Sequence, residues 1–200
     1  MPLIRRDFTK LAVLALFASG GPLMPSSHAA DRVQTLLLQR NDWVPNNPRL
    51  PVLIYPKAIA TEGSDPAALF EKTFQANGWP PQWRYGVFNY HHYHTEGHEV
   101  LGVASGQARL MLGGPNGHVV EVNAGDVLLL PAGTGHCNLG SSADFLVVGA
   151  YPPGQHADIC REAPSAAQLA SIAKLPFPDV DPVQGAQGAV AQHWVTQRTI

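Results

Sequence analysis

The chain has 200 residues, of which 45% are hydrophobic and only 14% charged, and a net charge of −2. That length suits a single domain whose core needs no staples. No basic stripe runs along it, which argues against a nucleic-acid partner, and its 19 Gly and 18 Pro point to many short strands joined by tight turns.

Residues 1–29 read as a targeting segment rather than structure. A basic start precedes an apolar stretch, Leu11 to Ala18, and small residues follow near a cut after Ala29. The run IRRDFTK resembles the twin-arginine export signal through Arg5, Arg6, Phe8 and Lys10. Export of a folded chain to the periplasm is therefore expected. The apolar stretch is far shorter than the ~20 residues needed to span a bilayer, so no stable membrane insertion is expected. Loss of the segment removes Arg5, Arg6, Lys10 and Asp7, which leaves 10 basic against 14 acidic side chains and a net charge of −4.

Residues 30–83 form an N-terminal arm with one short helix. Val33 to Gln39 and Pro51 to Tyr55 are apolar runs bounded by Asn and Pro, as strands or sheet-edge arms are. Asp65 caps a helix that Pro66 opens and Gly78 follows, with Leu69, Phe70, Thr73 and Phe74 as the docking stripe. Trp79 and Trp83 flank its exit as packing residues. Strands are expected over 84–94, 98–104, 107–113, 118–122, 126–131, 136–139 and 144–150, with turns at GGPNG (113–117) and SSAD (141–144). Seven strands at this spacing predict an all-β, antiparallel barrel or double-sheet jelly roll over residues 84–153. Residues 154–200 are a tail packed on the barrel, with a short helix near Ser165 to Ala173 and an extended PFPDVDP. Val33–Tyr55 and the tail from Pro176 carry more apolar surface than one small barrel covers, so a homodimer is expected.

The chemistry concentrates in GVFNYHHYHTEGHEVLGVASG, Gly86 to Gly106, and GDVLLLPAGTGHCN, Gly125 to Asn138. On a strand His92 and His94 face one way, about 7 Å apart. His98 and Glu99 are adjacent, so only one of them faces inward. Glu99 is preferred because that register also turns Leu101 and Val103 inward and leaves His98 and Gly102 outside; Glu96 in the turn is a further candidate. His136 follows a Pro-Gly turn. Three imidazoles and a carboxylate suit one divalent transition metal (Mn, Fe, Ni, Cu or Zn) and leave coordination positions open. Phe88, Tyr90 and Arg84 share parity with His92 and are candidates for a substrate-lining role, Phe88 alternatively for the core and Arg84 for a rim salt link. His91 and Tyr93 have the opposite parity and belong on an outer face, at a subunit contact. His118, His156 and His193 have no partner in the sequence and belong on the surface. Cys137 and Cys160 are able to pair in an oxidising compartment, with two buried thiols as the default.

These two segments resemble the paired motifs of the cupin superfamily. In the first, Gly86, His92, His94, Glu99 and Gly106 fall at the family's spacing, and in the second Gly125, Pro131, Gly133 and His136 do, with Asn138 one or two residues early. The wider run NDWVPNNPRLPVLIYP, NGWPPQWRYG, HHYHTEGHEVLGV and DFLVVGAYPPG is similar to the small single-domain bacterial cupins called YjlB-like. The resemblance implies an antiparallel cupin barrel with His92, His94, Glu99 and His136 around the metal. It also implies a small oxygen-rich substrate, turned over by dioxygenase, decarboxylase or isomerase chemistry. The alternative is a non-catalytic, metal-dependent binding protein for a sugar or carboxylate. Loading in the cytoplasm before export favours Mn or Fe over more tightly binding ions met outside.

Overall fold

The computed structural model describes residues 33–194; the expected signal segment, residues 1–29, lies outside the described residues. Among the described residues, nine strands form two antiparallel sheets. The larger sheet has the order β1-β2-β7-β4-β9-β3, built from β1 (Gln34–Leu36), β2 (Val52–Tyr55), β3 (Pro81–Tyr85), β4 (Glu99–Ser105), β7 (Val127–Leu130) and β9 (Leu146–Ala150). The smaller has the order β6-β5-β8, from β5 (Gln107–Leu112), β6 (His118–Asn123) and β8 (His136–Ser141). This is the all-β, antiparallel cupin barrel, a double-sheet jelly roll. The arm and the barrel are one body, because β2 pairs directly with β7 inside the larger sheet.

The larger sheet is covered on both faces, and its sequence shows it. Leu101, Val103, Leu128, Leu130 and Val147 point into the barrel against Leu110, Leu112 and Val122 of the smaller sheet. Val100, Ala104, Val127, Leu129 and Val148 point out, against helix α1 (Pro66–Ala76). A strand buried on both sides has no polar face to alternate, hence the unbroken VLLL of β7. The helix starts where the cap residue predicts: Asp65 accepts the backbone N–H of Ala68, Pro66 takes the first turn, and Gly78 follows at φ 79°. Its docking face differs from the expected stripe. Ala67, Phe70 and Phe74 are buried, while Leu69 is exposed. Gly102 makes the close approach possible, since a Cβ there would overlap the Phe70 ring.

The expected strand over 84–94 does not form as one piece. β3 ends at Tyr85, opposite Val147, because its partner β9 begins at Leu146 and the ladder runs out. Residues 86–94 cross instead to the smaller sheet. Asn138 donates its N–H to the Phe88 carbonyl at 2.8 Å, and His92 and His136 exchange two backbone bonds at 3.2 and 2.9 Å. Tyr93 exchanges another pair with Cys160, both at 3.0 Å. Tyr93 therefore does not face an outer surface or a subunit. It is fully buried beside Trp43, Ala132 and Ile172, and its hydroxyl donates to the Glu162 carbonyl at 2.8 Å.

The tail is pinned rather than loose. Helix α2 (Ala166–Lys174) opens on a capping box between Ser165 and Gln168, and a further short helix, α3 (Ala189–His193), closes the described chain. Between them Asp181 is fully buried and accepts from the Tyr55 hydroxyl at 2.6 Å and from the backbone of Val183, Gln184 and Val190. Trp79 and Trp194 each donate an indole N–H to a backbone carbonyl, Val180 and Pro51 respectively, at 2.8 Å. β2 and the tail thus cover each other, which buries part of the apolar surface of the arm and tail, while Leu37 beside edge strand β1 stays half exposed. Burial, together with the Asp181 carboxyl, drives the Tyr55 hydroxyl above its ordinary range, so it remains a donor. Tyr55→Phe should leave a buried acceptor short of one donor and lower unfolding stability by about 1–3 kcal/mol, measured by denaturant titration.

Candidate metal centre

His92, His94 and His136 are buried, and one ring nitrogen of each lies within 4.8 Å of the others. Backbone carbonyls decide which nitrogen that is. Nδ1 of His92 meets the Tyr90 carbonyl at 3.1 Å, Nδ1 of His94 meets Asp158 at 2.6 Å, and Nδ1 of His136 meets Thr134 at 3.0 Å. A carbonyl only accepts, so each Nδ1 carries the proton and each neutral ring is left with a lone pair on Nε2. Such partners orient metal-binding imidazoles and raise their basicity. Glu99 closes the set: its Oε2 lies 3.4 Å from His94 Nε2 and 3.2 Å from His136 Nε2. With both rings neutral, as metal ligation requires, these contacts are not hydrogen bonds, and Oε2 is buried without a hydrogen-bond partner. Neutral imidazole nitrogens and a carboxylate oxygen gathered without protons inside an apolar barrel would repel one another; a divalent cation removes the repulsion. The donor set therefore fits the metal that the sequence implies.

Protons report the same pull for positive charge. Burial lowers the His92 pKa to about 3, with the nearby His136 adding to the effect. Burial pushes His94 the same way, but the Glu99 carboxylate outweighs it and raises His94 above the ordinary imidazole value. Burial works against ionisation of Glu99 as well; His94 and His136 nevertheless hold it well below the usual carboxylate range.

The choice between His98 and Glu99 follows from what covers each face of β4. Glu99 faces the barrel mouth. His98 faces the other way, as expected, yet it is fully buried under the tail, with ring centroids 5.9 Å from Phe177 and 5.1 Å from Trp194. Its Nδ1 accepts from the Ala132 N–H at 3.0 Å and its Nε2 donates to the Leu175 carbonyl at 3.3 Å. Burial lowers its pKa to about 4, so it stays neutral.

A cavity of about 310 Å³ opens over the histidines, walled by Trp83, Tyr85, Val87, Phe88, Leu101, Tyr151 and Ile159 among others. Phe88 meets the substrate-lining expectation, its ring edge-on to His92 at 5.3 Å. Tyr90 does not line the cavity; it stacks behind Phe88 at 4.9 Å, with the Arg161 guanidinium 4.2 Å from its own ring centroid. Arg84 is likewise not brought to the cavity. Its guanidinium forks onto Glu71, with two contacts of 2.7 Å, and reaches Asp65 at 2.9 Å, tying β3 to α1 on the surface. Glu96 is exposed and pairs with His156 at 2.8 Å, so His156 has a partner that the sequence did not suggest. Both cysteines are free thiols.

Three contributors were not anticipated. Trp83, expected as packing, lines the cavity and donates its indole N–H to the Tyr151 hydroxyl at 2.9 Å. Tyr151 in turn donates to Glu99 Oε1 at 2.5 Å, which leaves Oε2 as the free carboxylate oxygen. Parity along β9 carried the signal for Tyr151, since Val147 and Gly149 precede it on the inward face. Asp158 is the third. Its side chain accepts from Thr95 N, Thr95 Oγ1 and Glu96 N at 2.7, 2.6 and 3.0 Å, and its backbone carbonyl holds His94. Nothing in local spacing reveals it, because it comes from the tail.

No family model matches the chain. It is 35% identical over 164 residues to the uncharacterized protein YjlB of Bacillus subtilis (strain 168), an alignment that covers 81% of this chain and 96% of that protein. Among solved structures it is similar to a DUF861 family protein of Thermotoga maritima, 19% identical with a TM-score of 0.28, covering 44% of this chain and 92% of that one. It is also similar to a mutant of Bacillus subtilis oxalate decarboxylase, 22% identical with a TM-score of 0.30, covering 64% of this chain and 30% of that one. With the likeness to YjlB running over most of both sequences, and the two motif segments gathered at one buried centre, the chain belongs to the YjlB family.

Proposed function

We propose that the chain is a metal-dependent cupin enzyme acting on a small oxygen-bearing substrate by dioxygenase, decarboxylase or isomerase chemistry. His92, His94, Glu99 and His136 hold one divalent ion, Mn or Fe by preference. The observation that carries this reading is the set of three buried imidazoles whose Nδ1 protons are all spent on carbonyls, beside the unpartnered Oε2 of Glu99. When bound, the metal supplies Lewis acidity or a site for O₂, with coordination positions left over for substrate oxygens.

The protein's own part is orientation and exclusion. The carbonyls of Tyr90, Asp158 and Thr134 fix the three rings. Tyr151 keeps its proton, since burial and the neighbouring Glu99 both raise its pKa, and so directs Glu99 through Oε1. The apolar wall displaces water from the reacting face. Oxygen-uptake and product screening of the metal-loaded protein tests the enzyme reading. Ligand binding without turnover across oxygenase, decarboxylase and isomerase assays would favour the non-catalytic binding protein instead. We further propose that residues 1–29 carry the folded, loaded protein to the periplasm by the twin-arginine route.

Replacing His92 or His136 by Ala should remove most of the metal, because each supplies a neutral imidazole bond. His98→Ala should keep it. Elemental mass spectrometry decides, and full occupancy in either ligand variant would refute the assignment. Metal affinity should also depend on pH in a defined direction. His94 must release its Nε2 proton for the ion to bind, and its pKa lies above the ordinary imidazole value of about 6.5. Log affinity should be flat at high pH and fall once pH drops below the His94 value, because the proton bound there must leave before the ion enters. His92 adds its own proton only as pH nears about 3. Changing Arg5 and Arg6 together to Lys should strand the precursor in the cytoplasm; a processed double variant in the periplasm would exclude the route.

A further inference from the structure

The cavity wall carries almost no charge. No Lys or Arg among the described residues lines it. Arg84 is engaged on Asp65 and Glu71, and Arg161 on the Tyr90 ring. Hydroxyls are equally scarce. Tyr85 stands at the mouth with 67% of its surface exposed. The Tyr151 hydroxyl already takes the Trp83 indole N–H and donates to Glu99. What remains is apolar: Val87, Phe88, Leu101, Ala157 and Ile159.

Charge balance then narrows the ligand. Three neutral imidazoles and one carboxylate around a divalent ion leave a net charge of +1. A chelator with one negative charge brings the centre to neutrality. A dianion leaves −1 in an apolar cavity without a cation to receive it, a costly arrangement. A sugar brings several hydroxyls that the wall cannot pair, and each unpaired group costs binding energy. The volume, about 310 Å³, sits at the small end for ligand sites. We infer that the substrate is a small, singly charged chelator that binds through two adjacent oxygens and carries an apolar, ring-sized body, rather than a dicarboxylate or a sugar. Trp83 and Phe88 give that body flat faces, and the two oxygens are its only polar contacts. This inference rests on the metal-centre reading.

The test is calorimetric titration of metal-loaded protein with tropolone, a monoanionic two-oxygen chelator on an apolar ring, and with oxalate. Each affinity is divided by the same compound's affinity for the hydrated ion. Metal content is measured first, so that an empty protein overturns the metal centre and this inference together. With metal present, tropolone should be favoured over oxalate by about thirtyfold or more, the order expected for an unpaired buried charge. Ile159→Lys, at a half-exposed wall position, should shrink that preference by about tenfold by supplying the missing cation. Val87→Lys repeats the test from the opposite chain segment. Equal or tighter oxalate binding in the unmodified protein overturns the inference and leaves the metal centre standing, as does failure of both probes to bind. A preference unmoved in both lysine variants overturns the role of the wall.

Discussion

Everything at this centre depends on where three protons sit. Each ligand histidine gives its Nδ1 proton to a main-chain carbonyl, and that single choice turns three lone pairs toward one point. Two of the carbonyls lie two residues before their own histidine, so local chain geometry supplies them. The third belongs to Asp158, sixty-four residues from His94, and ties the centre to the tail. The barrel is what makes these short bonds durable, because the segment 86–94 is strapped to β8 and to Cys160 by main-chain bonds on both sides.

Much of this was legible in the sequence. Period-two parity placed Glu99, Leu101 and Val103 inward and His98 and Gly102 outward, and the barrel obeys it. Cap chemistry located α1 within a residue or so, and the short helix expected near Ser165 to Ala173 is α2. Parity failed where a strand lost its partner. Counting from His92 back to Arg84 assumed one continuous strand, whereas the chain leaves the sheet after Tyr85, so Arg84 and Tyr90 do not share the wall with Phe88.

The other failures have one cause. Tyr93 and His98 have outward parity, and nothing local says that a distant segment will cover them. Residues 156–194 supply that cover: Cys160 and Ile172 beside Tyr93, Phe177 and Trp194 beside His98, with Val180 held by Trp79 and Asp181 by Tyr55. The tail is an outer layer of the core, and its contacts are too far apart in sequence for periodicity to foresee.

Gly149 faces Trp83 so closely that a Cβ there would overlap the indole ring. These two positions cannot vary independently. A relative that gains a side chain at the first must give up the large ring at the second, and with it the donor that steadies Tyr151 over Glu99. Within the lineage the pair should therefore change together or not at all, and chains that have made the exchange should have a wider cavity and a less firmly aimed carboxylate.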